Sequence, residues 1–324
     1  MAGAAATVGR VGRHRATLAG VAPELRSPML LVPLPLTSDR GLRVVRALTS
    51  LVKLVTHSAV DERHIRTDDG RQVRVLCFHP AERSGSSGAL LWLHGGGLVM
   101  GNAELSTDWC QTIAREVGLV VISVDYRLAP EDPFPAALDD CTSALQWLVD
   151  AADELGIDVD RIAVGGDSAG GGLAAALAQR ARDEGGPPIA FQLLVYPMLD
   201  DRTVLRTDHQ GRGALMWTPE TNRYGWTSYL GHAPTEADER PHAAPGRTSD
   251  LRSLPPAWIG VGDLDLFYEE DVDYARRLDA VGVACELHIA PGMYHGADAI
   301  VPGASICRAF RGSATNALRA AIGA

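Results

Sequence analysis

The serine at the centre of GDSAG (residues 166–170) is the residue in this sequence best placed for covalent chemistry. It follows the apolar run RIAVG and precedes the small-residue run AGGGLAAALAQ, which is typical of a helix. A strand, a sharp glycine-flanked turn and a helix together lift a serine hydroxyl above a sheet. The start of that helix also directs free N–H groups toward a developing oxyanion. We therefore predict that Ser168 is a nucleophile.

A serine hydroxyl needs a base to take its proton and an acid to hold that base in one tautomer. In enzymes built on this turn, the acid and then the histidine follow the serine along the chain. The segment GVGDLDLFYEED offers four acids, Asp263, Asp265, Glu269 and Glu270, and PGMYHGAD offers His295. Each segment follows an apolar strand-like run, so we predict Asp265 as the acid and His295 as the base. In isolation, a surface histidine and a helix N-cap would be the ordinary interpretations.

Three consecutive glycines in HGGG (94–97) directly follow the apolar run ALLWL. Glycine loses more backbone freedom on folding than any other residue, so this run needs a local reason. A tetrahedral intermediate requires two or three N–H donors, and side chains on such a loop would obstruct the approach. We predict Gly96, Gly97 and Ala169 as the donors, with His94 ordering the loop and not acting as a base.

The elements that must position these residues alternate between strand and helix, which predicts an α/β fold with a mostly parallel sheet covered on both faces. Several of the strand-length runs are continuously apolar, as strands buried on both faces must be. We predict strands near 72–78, 89–93, 119–124, 161–165, 190–196, 257–262 and 283–289. We predict helices near 104–117, 135–153, 169–183, 268–281 and 302–322, with a further helix around PETNRYGWTSYLG.

Two regions interrupt this alternation. Residues 1–55 precede the first predicted strand, and residues 200 to about 250 separate two others. Long inserts at strand ends of α/β folds commonly build lids and substrate pockets. The second insert is rich in large apolar side chains, which favours a packed role over a solvated loop. Those side chains are Met216, Trp217, Tyr224, Trp226 and Tyr229.

The composition excludes several classes of partner. The 324 residues carry a formal charge of −10 with 46% hydrophobic residues, so no basic surface is expected for nucleic acid or an anionic membrane. Five scattered cysteines without CxxC spacing indicate free thiols in a reducing compartment, and not a disulfide framework or a zinc site. The N-terminus lacks an apolar core of secretory length, so we expect a cytoplasmic protein without stable membrane insertion. A small, neutral or weakly charged substrate is expected.

Gly170 to Ala175 also fits the pattern G-x-G-x-x-A near a strand, with Asp200 further on, which is the pattern of a nucleotide-binding site. These glycines fall inside the predicted helix and not in the turn before it. They are better explained by close packing of that helix.

Five motifs together resemble the bacterial hormone-sensitive-lipase-like esterases of the α/β-hydrolase fold, over roughly residues 70–300. They are HGGG, DYRLAPEDPFPAALDD, GDSAG, DLRSLPPAWIGVGDLDLF and PGMYHG. The resemblance implies serine carboxylester hydrolysis without a cofactor or metal. It also implies one domain over 1–324 with a helical cap from about 1–55 and about 200–245. It places the nucleophile at Ser168, the acid at Asp265, the base at His295 and the oxyanion donors at Gly96, Gly97 and Ala169.

The sequence departs from the family at two positions. Leu98 stands where an aromatic residue often follows HGGG, and Asp265-Leu266-Phe267 stands where Asp-Pro-Leu is common. We expect hydrolysis of short- to medium-chain carboxylic esters through an acyl-enzyme. The alternatives are a non-catalytic small-molecule-binding protein on the same fold, and a related lactonase or deacetylase. A homodimer is left open.

Overall fold

A computed structural model describes residues 18–31, 35–50, 60–67, 70–81 and 85–323. Parts of the predicted cap, residues 1–17, 32–34 and 51–55, lie outside the described residues.

An eight-stranded sheet forms the centre of the fold, in the order β1-β2-β4-β3-β5-β6-β7-β8. β1 pairs antiparallel with β2, and β2 pairs antiparallel with β4, whereas every other neighbouring pair is parallel. The strands are β1 (Asp61–Arg66), β2 (Gln72–Phe78), β3 (Ser87–Leu93), β4 (Val120–Asp125), β5 (Ile157–Asp167), β6 (Phe191–Val195), β7 (Ala257–Gly262) and β8 (Cys285–Ala290). The α/β fold and its mostly parallel sheet are confirmed.

All seven predicted strands are present, and the eighth, β1, was missed. Its sequence DERHIR has no apolar run, and only Ile65 within it is buried. β1 lies at the edge of the sheet and pairs only with β2, so polar side chains on both of its faces meet solvent. β5 also begins at Ile157, four residues before the apolar run that predicted it.

The helices include the six that were predicted, each close to its predicted position, and three that were not, namely the first, fourth and eighth along the described chain. They are α1 (Asp39–Ser50), α2 (Thr107–Val117), α3 (Ala136–Asp150), α4 (Ala152–Leu155), α5 (Ala169–Glu184), α6 (Pro219–Leu230), α7 (Tyr268–Ala280), α8 (Ala297–Ile300) and α9 (Ser305–Ile322). Short 3₁₀ helices occur at Pro23–Leu25, Pro28–Leu31, Ala103–Ser106, Asp201–Leu205 and Pro245–Arg247. Within the described ranges, none of the helices has both the length and the apolar character needed to cross a membrane.

Each face of the sheet carries its own apolar core, because side chains alternate along a strand. In β3, Leu91 and Leu93 belong to one core, and Leu90 and Trp92 belong to the other. All four side chains are fully buried. The first core also receives α3, α5 and α6, whereas α2 and α9 pack on the second. The sheet is thereby a rigid frame in which the carboxyl ends of every strand except β2 point in one direction.

β3 and β5 are neighbours in the centre of this frame, and Leu93 lies opposite Gly166. β4 lies on the far side of β3, so the chain turns in opposite directions after β3 and after β5. Ligand sites of open α/β sheets form at such a reversal, beyond the carboxyl ends of the strands. HGGG follows β3 and GDSAG ends β5, so the topology brings both motifs to this point.

Candidate active site

Ser168 occupies a strained turn between β5 and α5. Its backbone has φ 56° and ψ −117°, a region that residues with a side chain rarely adopt. Hydrogen bonds hold it there, because its N–H donates to the Val195 carbonyl at 2.9 Å and its own carbonyl accepts from the Met198 N–H at 2.9 Å. The turn also needs small neighbours. A Cβ on Gly170 would lie 1.9 Å from the Leu93 carbonyl oxygen.

Ser168, His295 and Asp265 meet although they lie far apart along the chain. The Ser168 Oγ is 2.9 Å from His295 Nε2, and His295 Nδ1 is 2.7 Å from Asp265 Oδ2. Asp265 follows β7, His295 follows β8, and the loops of these adjacent parallel strands meet at one sheet edge. All three side chains are buried, with Asp265 completely shielded from solvent. The three predicted residues therefore form one continuous hydrogen-bonded chain.

The other three acids near the end of β7 are engaged elsewhere. Asp263 accepts a hydrogen bond from the Gly292 N–H at 2.7 Å, and Glu269 forms an ion pair with Arg212 at 2.6 Å. Glu270 accepts from the Leu199 N–H at 2.7 Å. Asp265 is the one of the four whose carboxylate contacts His295, and its second oxygen accepts from the Phe267 N–H at 3.0 Å.

The glycine loop after β3 adopts a conformation that side chains would prevent. Gly96 has φ 129° and Gly97 has φ 61°, both in the left-handed half of conformational space. A Cβ on Gly97 would lie 2.0 Å from the Trp217 ring. Among the described residues, the N–H groups of Gly96, Gly97 and Ala169 have no acceptor. The predicted oxyanion donors are thus free to receive a ligand oxygen.

Two neighbours of the glycine loop fix its ends. The buried His94 ring stacks on Tyr126 at 4.2 Å between ring centres, and the Tyr126 hydroxyl donates to the His94 carbonyl at 2.6 Å. At the other end, the Leu98 carbonyl accepts from the Ala129 N–H at 3.0 Å. Tyr126 and Ala129 belong to the DYRLAP segment after β4. That segment therefore holds the loop in place, with His94 packed inside it.

Asp167 connects the glycine loop to the serine turn. Its Oδ1 accepts a hydrogen bond from the Gly95 N–H at 3.0 Å. Burial raises the pKa of this carboxyl to about 6, although Arg311 nearby acts to lower the pKa, and the neighbouring carboxylate of Asp298 raises it further. The side chain beside Ser168 therefore changes its ionisation within a weakly acidic range.

A polar chain behind His295 escaped prediction. The Tyr196 ring packs edge-on against the His295 ring at 4.8 Å between centres, and its hydroxyl donates to Asp298 at 2.9 Å. Asp298 forms an ion pair with Arg311 of α9, whose guanidinium lies 4.2 Å above the centre of the Trp109 ring. In the sequence, Tyr196 ends an apolar run that predicts a strand, and Arg311 is one of several polar residues in a predicted amphipathic helix. Neither residue belongs to a motif that predicts a position beside His295.

An apolar cavity of about 220 Å³ opens at Ser168 and His295. Its large side chains are Met100, Leu105, Tyr196, Met216, Trp217 and Ile300. Of the aromatic and methionine residues singled out in the second insert, Met216 and Trp217 thus face the site, whereas Trp226 and Tyr229 are buried behind it.

The alternative chemistries find little support in the described part of the chain. The glycines at 170–172 lie within α5, and a Cβ on Gly172 would lie 2.1 Å from the Met198 carbonyl oxygen. They therefore serve close packing and not phosphate binding. Among the described residues, no group of three or more His, Cys, Asp or Glu side chains could hold a metal ion. The five cysteines are free thiols, and four of them are buried.

Comparison with known proteins adds independent findings. The profile of the α/β-hydrolase fold family matches residues 90–299. Esterase LipI of Mycobacterium tuberculosis is 36% identical over 280 residues, which cover 85% of this chain and 87% of that protein. Carboxylesterase NlhH of the same species is 36% identical over 284 residues, covering 85% and 88%. Among solved structures, a bacterial heroin esterase superposes with a TM-score of 0.86 at 37% identity, covering 95% of this chain and 100% of the other.

Proposed function

This chain belongs to the hormone-sensitive-lipase-like esterases of the α/β-hydrolase fold, which makes it a carboxylic ester hydrolase, and we propose that it hydrolyses short- to medium-chain esters by covalent catalysis at Ser168. The observation that carries the proposal is the unbroken chain from Ser168 Oγ through His295 to Asp265, at 2.9 Å and 2.7 Å.

In the proposed reaction, His295 Nε2 takes the Ser168 proton as the Oγ attacks the ester carbonyl carbon. Asp265 accepts the Nδ1–H, which keeps Nε2 free to act as the base and stabilises the imidazolium that forms. The imidazolium then gives its proton to the departing alcohol oxygen, leaving the acyl group on Ser168. Water activated by the same histidine releases the acid and restores the serine.

The carbonyl oxygen acquires negative charge in both steps. The N–H groups of Gly96, Gly97 and Ala169 are proposed to stabilise it, and Ala169 also contributes the positive end of the α5 dipole. The Asp167 Oδ1 accepts a hydrogen bond from the Gly95 N–H at 3.0 Å, and this bond supports a fixed position for the N–H groups of the neighbouring Gly96 and Gly97.

We also propose that α1 and the insert around α6 form a cap over this site. The Tyr224 hydroxyl of α6 donates to Asp39 of α1 at 2.9 Å, so the two pieces touch. Arg46 of α1 donates to the Val99 carbonyl at 2.7 Å and to the Ala129 carbonyl at 2.7 Å. Val99 follows Leu98 in the chain, and the Ala129 N–H donates to the Leu98 carbonyl. These contacts support a cap that packs against the end of the glycine loop.

Replacement of Ser168 by alanine tests the proposal. Loss of the hydroxyl is expected to lower kcat by about 10⁴-fold or more toward a p-nitrophenyl ester, with an unchanged circular dichroism spectrum. A serine-directed organophosphonate is expected to label the parent protein once and the Ser168→Ala variant not at all, as measured by intact mass.

EDTA is expected to leave the rate unchanged. Near-normal turnover by the variant, or a chelator-sensitive rate restored by zinc, would overturn the proposal.

A further inference from the structure

Three aromatic rings surround the His295 ring. The ring centres of Tyr196, Phe267 and Trp217 lie 4.8, 5.2 and 6.2 Å from its own centre. The bond from His295 Nδ1 to Asp265 holds one atom of the imidazole, and the surrounding rings restrict how the imidazole can tilt about that bond. The Tyr196 ring is the nearest of the three, so its position affects the position of the imidazole most directly.

The Tyr196 ring is tied to the same segment that carries His295. Its hydroxyl donates to Asp298 Oδ1 at 2.9 Å, and Asp298 stands three residues after His295. The contacts therefore form a closed cycle from the imidazole to the Tyr196 ring, on to the Asp298 carboxylate, and back along the backbone. A shift of Asp298 would move both the backbone that carries the imidazole and the aromatic ring packed against it.

The backbone of Tyr196 is itself strained. Its φ is 35°, which is uncommon for a bulky residue, so the surrounding contacts must hold it. Its N–H donates to the Gly260 carbonyl at 2.6 Å, and its hydroxyl is bound at the other end of the side chain. Strained residues cluster at functional sites, and this one packs on the proposed base.

Helix α8, which carries Asp298, needs support from other elements. It has only four residues, and a helix this short is not stable without contacts to the rest of the protein. β8, which leads into the His295 loop, lies at the edge of the sheet and pairs with β7. The segment between β8 and α8 therefore depends on side-chain contacts for its position.

Arg311 of α9 supplies such a contact. Its Nη2 forms an ion pair with Asp298 Oδ2, and the Asp298 side chain is completely buried. The guanidinium also lies 4.2 Å above the centre of the Trp109 ring of α2, so it is held between two helices. Its Nη1 is buried and has no hydrogen-bond partner among the described residues. Asp298 is therefore the acid that Arg311 pairs with.

Stability alone does not account for an ion pair at this depth. Well-packed apolar residues are often at least as stabilising as a buried ion pair, because both charges lose their hydration. A carboxylate differs from an apolar side chain in that it binds a hydroxyl in a defined direction. The Asp298 carboxylate uses this property on Tyr196, which points to a role in positioning.

We propose that Asp298 and Arg311 are positioning residues, which act on the base of the reaction through the Tyr196 ring. The inference rests on the proposed function. Arg311 fixes the Asp298 carboxylate, and the carboxylate fixes the Tyr196 hydroxyl. The ring in turn holds the His295 imidazole at 2.9 Å from Ser168 Oγ. Misplacement of a reacting group by about 1 Å can lower a rate about 100-fold, so a small shift of the imidazole would be costly.

Tyr196→Phe tests the link to His295, because it keeps the ring in the cavity wall and removes the bond to Asp298. We expect kcat toward p-nitrophenyl acetate to fall about tenfold, because the base is less well placed in the transition state. KM is expected to stay within about twofold of the parent value. Labelling by an organophosphonate should slow as kcat does, since attack by Ser168 on phosphorus also needs the base.

Tyr294→Phe is the matched control for loss of a buried hydroxyl. Tyr294 precedes His295 in the chain, and its hydroxyl donates to the Leu25 carbonyl at 3.1 Å. That carbonyl belongs to an N-terminal 3₁₀ helix and not to the contacts behind His295. The variant is expected to keep the parent kcat and the parent rate of labelling.

Two changes at Arg311 test the ion pair. Arg311→Met removes the charge and is expected to lower kcat at least about tenfold in the folded protein, as checked by circular dichroism. Arg311→Lys keeps a cation opposite Asp298, and one nitrogen suffices for this contact, so its kcat is expected to lie within about threefold of the parent. Arg308→Met, the same change at an exposed position of α9, is expected to keep the parent constants.

An unchanged kcat in Tyr196→Phe, or an equal loss in Tyr294→Phe, would overturn the inference while leaving the esterase function standing. A higher KM at unchanged kcat would do the same, because the hydroxyl would then serve substrate binding. Arg311→Met with a lower melting temperature and full kcat would show a structural role only; if this variant does not fold, Tyr196→Phe decides. Absence of labelling at Ser168 in the parent would remove the proposed function and the inference with it.

Discussion

The residues at the sheet edge and the residues of the proposed cap are held in different ways. Ser168, Asp265 and His295 follow β5, β7 and β8. β5 and β7 are paired with a neighbour on both sides, and β8 pairs with β7 at the edge of the sheet. The α1 helix instead meets the rest of the molecule through side chains: Leu42 and Val45 pack in the first core, Arg46 donates to two loop carbonyls, and Asp39 accepts from Tyr224. The positions of Ser168, Asp265 and His295 are therefore set by the backbone pairing of the strands that precede them, whereas α1 is held by side-chain contacts.

This difference predicts that damage to the site separates into two classes. Changes at the strand ends should abolish turnover while the fold survives. Changes in the cap contacts should alter substrate binding more than the chemical step, because the reacting atoms keep their positions.

The largest effects are expected from His295→Ala and Asp265→Asn. The amide would hold His295 in the wrong tautomer, so kcat is expected to fall by about 10⁴-fold, as measured with a p-nitrophenyl ester near neutral pH. His295→Ala should be at least as damaging, because the serine and histidine act as a unit.

Asp263→Asn and Glu269→Gln are the matched controls for the choice of acid. Asp263 lies in the loop after β7 and Glu269 in the first turn of α7, and their carboxylates contact Gly292 and Arg212 and not His295. Each is expected to lower kcat by less than about tenfold. A greater loss in either variant than in Asp265→Asn would mean that the acid is misassigned.

An intermediate effect is expected from Arg46→Met, which keeps an unbranched side chain but removes the hydrogen bonds to Val99, Ala129 and Glu131. Loss of charged hydrogen bonds worth about 1–2 kcal/mol should loosen the loop beside the cavity. KM is expected to rise roughly threefold to tenfold, with a smaller change in kcat. Initial rates over a range of ester concentrations separate the two constants.

Arg43→Met makes the same change at an exposed position of α1 and is expected to keep the parent constants. If Arg46→Met lowered kcat and left KM intact, α1 would be supporting the chemical step. The contrast between sheet edge and cap would then fail.

The smallest effect concerns Asp167 and is one of stability. Because burial raises the pKa of this carboxyl from 3.8 to about 6, the folded protein holds the proton more tightly than the unfolded chain. The resulting stabilisation is present below pH 4 and is lost as the pH rises through 6. Asp167→Asn removes this titration, so its melting temperature relative to the parent should be higher at pH 8 than at pH 4.5, by at least about 2 °C.

Asp160→Asn, at an exposed position, supplies the baseline for that comparison. A difference in melting temperature that is constant with pH, or larger at pH 4.5, would show that Arg311 keeps the Asp167 carboxylate ionised throughout.

The same contrast explains which parts of the molecule could be predicted. Apolar runs predicted seven strands, and the motifs at their ends predicted that Ser168, Asp265 and His295 lie together, as the structure places them. Burial and strand direction leave such local traces in a sequence. β1 was missed because a polar edge strand has no apolar run, with only Ile65 buried. Arg46 and Arg311 were missed for another reason. Their partners lie at distant positions in the chain. The local sequence of an amphipathic helix is the same whether one of its arginines is solvated or forms an ion pair with a buried carboxylate.

The backbone strain at Ser168 places a limit on how stable this protein can become. A non-glycine residue at φ 56° and ψ −117° costs about 1–3 kcal/mol, and the surrounding hydrogen bonds must hold the turn against that cost. Glycine would relieve the strain but would remove the hydroxyl. A selection for thermal resistance alone would therefore favour loss of the proposed nucleophile, so the proposed activity and thermal stability are opposed at this single residue.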